Sequence, residues 1–175
     1  NPTQFDDPAD LKKYPRTLDD DLLLLNSVSE KIIVFSPEAS ELYHQNISSK
    51  KYHFSGIEKE MEGKHRTGHF DGVGTVLNLL FDAVTPNKAY FGEKDFQQLQ
   101  IIRKMVEKHQ IPVKIIPCEI FRENDGLAMS SRNTRLTNEH RNAAPFIYKT
   151  LKQAKIEFGT KNALEVKQWV ENEFK

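Results

Sequence analysis

The stretch Ala89–Cys118 reads AYFGEKDFQQLQIIRKMVEKHQIPVKIIPC, and its pattern decides the fold. Ala89–Phe91 is a short apolar run of strand type. From Asp95 to His109 apolar residues recur at helical spacing, with Phe96, Leu99, Ile102 and Val106 on one face. Arg103, Lys104 and Lys108 gather toward the C-terminal end, where cations complement the helix dipole. Pro112 stops the helix, and Val113–Cys118 (VKIIPC) is again β-branched and short, a strand. Two strands joined by a helix form a right-handed crossover, which makes them parallel.

The same alternation extends upstream. Gly72–Val84 (GVGTVLNLLFDAV) is apolar on most sides, as expected of a helix buried against a sheet. Gly72 and Gly74 allow another backbone close to its first turn, and Thr85-Pro86-Asn87 ends it. Lys31–Ser36 (KIIVFS), bounded by Pro37, reads as a further buried strand. Thr17 before Leu18-Asp19-Asp20-Asp21 reads as a helix cap, with Asp20 at near capping-box spacing. Between these, Glu38–Tyr43 suggests a helical turn, Tyr52–Ile57 an edge strand and His65–His69 a polar loop. Strand, helix, strand, helix, strand defines an α/β fold with a doubly wound parallel sheet.

Past Phe121 the pattern changes to a Ser-, Arg- and Asn-rich loop and then helices. One spans Asn138–Phe158, with Pro145 kinking it or opening its second half. Another follows Asn162, whose partner Glu165 stands at capping-box spacing. A domain boundary is expected near Glu119–Arg122.

Composition narrows the function classes. The 175 residues carry 25 basic and 25 acidic side chains, so no charge excess draws the chain to nucleic acid or an anionic membrane. No apolar run approaches the ~20 residues that span a bilayer, and Asn1–Asp10 has no signal-peptide pattern. A lone cysteine, Cys118, has no internal disulfide partner and reads as a buried structural thiol. A cytoplasmic protein is expected. The start at Asn1 without Met, and the stop at Lys175 directly after a helical pattern, suggest a piece of something longer.

Six features bear chemistry, and each has an ordinary structural alternative. Gly92-Glu93-Lys94-Asp95 lies where a strand ends and a helix begins. That is the ligand-binding edge of open α/β sheets, and its helix-start N–H groups and lysine favour phosphate. Alone, it is as readily a tight turn with Asp95 as cap. Met129-Ser130-Ser131-Arg132 offers hydroxyls and a guanidinium to polyphosphate oxygens, or is a solvated linker. Asn1 and Gln4 carry amides that read hydroxyls and carboxylates without importing charge, though a terminus ordinarily frays. Asp19-Asp20-Asp21 suits a magnesium ion or a helix N-terminus. Arg66 and His69 suit an anionic substrate or a solvated loop. Of Gln97 and Gln98, the one facing the strand end suits substrate and the other the surface.

In order and spacing, NPTQF, DLKKYPRTLDDDL, HRTGHFDGV, AYFGEKDFQQLQIIRKMV and DGLAMSSRNTRLT resemble the pantothenate synthetase (pantoate–β-alanine ligase) family, from Asn1 to about Leu136. The resemblance implies a Rossmann-like domain of nucleotidyltransferase type, incomplete here, over residues 1–120. A smaller C-terminal α+β lid, cut short, would take residues 121–175. It implies ligation of pantoate to β-alanine through a pantoyl adenylate, with ATP as substrate, Mg2+ as its metal and a homodimer as the assembly. By motif, Gly92, Glu93, Lys94 and Asp95 contact ATP. Lys94 stabilises the phosphorus under attack, and Met129, Ser130, Ser131 and Arg132 close over the nucleotide. Phe121 offers backbone to adenine. Gln4 and Gln98 hold pantoate with Asn1, while Arg66 and His69 lie near the cleft.

Asp20 and Asp21 match the acidic pair near magnesium, but Leu24 stands where some members have glutamine. The family's glycine- and histidine-containing motif lies upstream of NPTQF, so the chain by itself is expected to be inactive. Three other readings compete: a nucleotidyltransferase for another acid, against which Gln4 and Gln98 argue; a folded or dimerising scaffold without turnover; and a nucleic-acid module, disfavoured by the charge balance.

Overall fold

The computed structural model describes residues 1–5, 7–44 and 46–175. Their contacts divide the chain into two units, Asn1–Glu119 and Ile120–Lys175. In the first, α1 (Pro8–Lys13), α2 (Leu18–Val28), α3 (Ala39–Leu42) and α4 (His69–Val84) precede β1 (Lys88–Gly92). The chain then crosses through α5 (Phe96–Lys108) to β2 (Lys114–Cys118). The strands pair in parallel, from Lys88 opposite Lys114 to Gly92 opposite Cys118, as the stretch around GEKD predicts.

The helices α4 and α5 build the core with the segment before them. Phe54, Phe70, Val73, Phe81, Ile101, Ile102, Met105 and Val113 form one buried cluster. On α5 the buried residues are Leu99, Ile101, Ile102 and Met105. Phe96, expected on that face, is 58% exposed. It is the first residue of the helix, at the end of the strand, before the axis runs across the core. The buried part of α4 begins at His69 rather than Gly72.

Two expected strands do not form. Lys31–Ser36 has no ladder partner among the described residues, and its side chains lie open, Ile33 at 92%. β-Branched composition supplies propensity, but a strand exists only where a second backbone takes its hydrogen bonds. Tyr52–Ile57 fails for the opposite reason, since side chains have already claimed its amides. Tyr52 N–H donates to Asp71 Oδ1 at 2.9 Å, and Phe54 and Gly56 N–H to Glu58 Oε2 at 3.2 and 2.9 Å. Just before it, Lys50 N–H donates to Thr75 Oγ1 at 2.8 Å. The segment is laced to α4 and still buries Phe54.

Other expectations shift at element ends. Thr17 precedes α2, but its hydroxyl lies 3.4 Å from both Asp21 carboxylate oxygens instead of capping a backbone amide. Cys118 is exposed, not buried, because it closes the last register position of β2 rather than the middle of a covered sheet.

The second unit holds α6 (Asn138–Ala143), α7 (Pro145–Glu157) and α8 (Ala163–Glu173), preceded by one antiparallel bridge, Arg122 with Ala128. Pro145 opens α7 at its first turn, where its missing N–H costs nothing. The Asn162–Glu165 capping box closes as expected, at 2.8 and 3.0 Å. Phe146 and Phe174 meet edge to face, with ring centroids 5.5 Å apart.

Candidate active-site elements

In the first unit, a 3-10 turn at Pro2–Gln4 seats the amide side chains. The turn lies so close to α4 that a Cβ on Gly72 would fall 2.1 Å from the Thr3 carbonyl oxygen. Gly72 is therefore where the two backbones touch, the close approach its sequence position suggests. Tyr43 O–H donates to Asn1 Oδ1 at 2.7 Å and also lies 2.8 Å from Thr3 Oγ1. That bond orients the Asn1 amide, whose Nδ2 then donates to Gln4 Oε1 at 3.1 Å.

Arg66 and His69 hold the backbone of the same turn. Arg66 Nη2 donates to the Gln4 carbonyl at 3.3 Å, and His69 Nδ1 lies 2.8 Å from it. A carbonyl only accepts, so His69 carries a hydrogen on Nδ1. Its Nε2, 3.3 Å from Arg66 Nη1, then accepts from the guanidinium. Arg66 Nη1 also donates to Glu62 Oε2 at 3.1 Å. The structure thus brings Asn1, Gln4, Arg66 and His69 together, and it adds Tyr43 and Thr3, which sequence reading missed. Tyr43 reaches Asn1 across 42 positions, a contact no local pattern records.

Gly72→Ala is expected to cost about 1–3 kcal/mol, because the added methyl group meets backbone that cannot move aside cheaply. Denaturant unfolding of this chain measures it.

The second element is the β1–α5 junction. Glu93–Asp95 form a 3-10 turn between strand and helix, and all of Gly92–Asp95 is exposed. Gly92 has φ −68°, and a Cβ there would meet nothing within 4 Å. Neither backbone strain nor packing in this chain requires glycine at that point; the position leaves open space beside Lys94. Lys94 Nζ lies 3.2 Å from Asp95 Oδ1. Asp95 gives α5 no side-chain cap, so the tight-turn alternative loses its expected capping bond. Gln97 is half-buried and its side-chain amide is bonded to backbone. Its Nε2 donates to the carbonyls of Ile57 and Glu60 at 2.8 and 2.6 Å, and Glu62 N–H donates to its Oε1 at 3.1 Å. Gln98, half-buried beside it, makes no side-chain hydrogen bond among the described residues.

Asp20 and Asp21 lie in the first turn of α2, exposed. Consecutive residues on a helix point about 100° apart, and no three His, Cys, Asp or Glu side chains converge among the described residues. The described residues do not by themselves build a magnesium cage. Magnesium commonly takes only one or two carboxylates when substrate phosphates supply the rest, and the pair suits that more limited part.

In the second unit the hydroxyl segment leaves a small hairpin. Met129 N–H donates to the Phe121 carbonyl at 3.0 Å, and Glu123 N–H to the Leu127 carbonyl at 2.8 Å. Gly126 turns the corner with φ +94°. Phe121 exposes its ring, so its backbone is what the hairpin uses. Beyond Met129, Ser130 Oγ accepts from Arg132 N–H at 3.3 Å and starts a 3-10 turn at Ser131–Arg135. Asn133 Nδ2 donates to the Ala128 carbonyl at 3.0 Å. Arg141 Nη1 donates to Asp125 Oδ2 at 2.6 Å. That bond, with the Leu127 amide, holds the Asp125 carboxyl below its ordinary range.

A parallel strand–helix–strand with a lysine turn at its carboxyl edge makes this an α/β protein, and the solved structures it resembles give it a fold of nucleotidyltransferase type. The chain matches the solved pantothenate synthetase of Thermus thermophilus with a TM-score of 0.91 at 37% identity, covering 99% of this chain and 63% of that one. It matches the pantoate–β-alanine ligase of Francisella tularensis, solved with β,γ-ATP and β-alanine, with a TM-score of 0.83 at 35% identity. That alignment covers 99% of this chain and 64% of the other. The family model described as pantoate–β-alanine ligase matches residues 1–175, so the chain belongs to that family. The pantothenate synthetase of Christiangramia forsetii is 56% identical over all of this chain, which spans 62% of that relative's length.

Proposed function

We infer that this chain works in the ATP-dependent condensation of (R)-pantoate with β-alanine to pantothenate, a step of pantothenate and coenzyme A biosynthesis. The observation that carries the reading is the β1–α5 junction, where an exposed lysine and a glycine with no structural need stand at the carboxyl edge of a parallel strand. A pantoate carboxylate oxygen attacks the α-phosphorus of ATP, the bond to the β-phosphate bridge breaks, and pyrophosphate leaves. The β-alanine amine then attacks the acyl carbon of the pantoyl adenylate, AMP departs with the acyl–oxygen electron pair, and the nitrogen loses a proton. Such chemistry needs alignment of two bound molecules and fixed positive charge more than reactive side chains.

In this reading Gly92, Glu93, Lys94 and Asp95 contact the nucleotide, and Lys94 stabilises charge on the phosphorus and the departing pyrophosphate. Met129, Ser130, Ser131 and Arg132 close over nucleotide phosphate, and the Phe121 backbone meets adenine. Gln4, oriented by Asn1 and held through Arg66 and His69, receives pantoate together with Gln98. Asp20 or Asp21 would supply a carboxylate to the magnesium that travels with ATP, which would neutralise phosphate charge. A cytoplasmic homodimer completes the proposal, resting on the family resemblance; among the described residues no helix is long and apolar enough to cross a membrane.

A second reading concerns the chain by itself, as a folded piece without turnover. The observation that favours it is the apolar run Ile32–Phe35, whose side chains lie exposed. Exchange of labelled pyrophosphate into ATP tests both. A complete enzyme of the family is expected to exchange only when pantoate is present, and this chain is expected to show negligible exchange. Exchange supported by another acid but not by pantoate would replace the substrate. Robust pantothenate formation by this chain would remove the second reading.

A further inference from the structure

Arg122 and Tyr148 have no part in the reading so far, yet they meet beside the hairpin that delivers Ser130. The Arg122 guanidinium carbon lies 3.6 Å from the centroid of the Tyr148 ring, in the range of a close cation–π contact. The same guanidinium donates through Nη1 to the Gly126 carbonyl at 3.1 Å. On the ring's edge, a Cβ at Gly126 would come within 2.8 Å of Tyr148 Cδ1. The turn therefore packs directly on the tyrosine, and glycine is required there by both its left-handed φ and the space. Tyr148 sits within α7, and Arg141 of α6 pins the same turn through Asp125. Side chains from the hairpin, α6 and α7 together hold the loop whose outgoing arm is Met129-Ser130-Ser131-Arg132.

We propose that Arg122 and Tyr148 are positioning residues: a stacked clamp that fixes where the hydroxyl segment leaves the hairpin, and so presents Ser130, Ser131 and Arg132 to a polyphosphate in one arrangement. The loop's own bonds are local, among them Met129 N–H to the Phe121 carbonyl, Arg132 N–H to Ser130 Oγ, Asn133 N–H to the Ser130 carbonyl and Asn133 Nδ2 to the Ala128 carbonyl. Without an external anchor a polar loop of this kind samples many conformations, and ordering it would then be charged against nucleotide binding. A guanidinium stacked on an aromatic face while donating to a backbone carbonyl restricts it in advance. Lysine would not serve equally, since it lacks the planar fork that does both at once. Lys152 Nζ, 5.0 Å from the same ring centroid, sets the ring in a positive environment without reaching the turn.

The functional half of this inference rests on the phosphate role proposed for Ser130–Arg132, and the test separates the two. Amide hydrogen exchange on the 175-residue chain compares wild type with Arg122→Ala, Arg122→Lys, Tyr148→Leu and Tyr148→Phe, each with and without ATP. Without ATP, Arg122→Ala and Tyr148→Leu are expected to raise exchange at Glu123, Met129 and Asn133 about tenfold, with the interior amides of α7 and α8 unchanged. Tyr148→Phe keeps the ring face and is expected to match wild type, while Arg122→Lys falls with the alanine variant. Unchanged protection at Met129 and Asn133 in the first two variants overturns the clamp, as does a uniform acceleration across α7 and α8, which marks a merely structural pair. With ATP, protection of Ser130–Asn133 in wild type is expected to require about tenfold more nucleotide in Arg122→Ala. Equal nucleotide requirement in both proteins overturns the positioning role. Wild type with no response to ATP counts against the phosphate reading alone, and the nucleotide-free comparison still decides the clamp.

Discussion

In an active enzyme carrying this chain, Lys94→Ala is expected to slow adenylate formation ~10²–10³-fold, the usual cost of removing one well-placed charge donor at a transition state. Thermal stability is expected to be unchanged. Lys94 is exposed, and its ion pair is with its sequence neighbour Asp95, an arrangement worth little to folding in water. Pantoate affinity is also expected to hold, since the amides assigned to it lie on the separate Pro2–Gln4 turn. Pyrophosphate exchange and pantoate titration by calorimetry, run on the same variant, separate the effects. Equal losses in both would make Lys94 a structural lysine and remove the observation on which the functional reading stands.

Ile102→Ala is expected to destabilise this chain by about 2–5 kcal/mol, a substantial share of an ordinary domain's stability. Ile102 is fully buried on α5, in the cluster with Phe54, Phe70, Val73 and Met105. Truncation there removes transfer energy and leaves a cavity between helices that cannot close fully. Ile33→Ala is the matched control. Its side chain is 92% exposed, and its removal is expected to change unfolding by no more than about 0.5 kcal/mol. Urea midpoints for the two variants test whether the burial assigned to each holds. A large loss at Ile33 would show that KIIVFS is covered after all.

Two apolar runs show how far sequence pattern reaches. Lys31–Ser36 and Val113–Cys118 have nearly the same composition, yet only the second forms a strand. α5 and Pro112 deliver β2 alongside β1, so its backbone finds a ladder, whereas the first run finds none among the described residues. Tyr52–Ile57 is equally opaque to pattern, because Asp71, Thr75 and Glu58 take up amides in and around it by side-chain bonds that no periodicity announces.

The candidate site divides along the same line. GEKD is legible because its meaning is local: a strand ends, a helix begins, and the turn between them faces outward. The loop after Gly126 is legible as a hydroxyl-rich motif, but its anchoring on Tyr148 is not, since the stacking joins positions 26 residues apart by number. Asn1 and Gln4 stand out for their amides. That Arg66 and His69 grip the Gln4 carbonyl, and that Tyr43 orients Asn1, emerges only when the chain folds back on itself.

Sequence alone determined the crossover of Ala89–Cys118, the Asn162 capping box and the family, because each depends on residues within a few turns of one another or on motif order, whereas the structure decided that Pro145 opens a helix and does not kink one. Tertiary structure alone decided which apolar runs are buried, which amides are already spent, and which polar side chains act as struts. Those outcomes depend on hydrogen bonds and contacts between distant segments, and a backbone group or a side chain has only as many partners as the fold brings within about 3 Å of it.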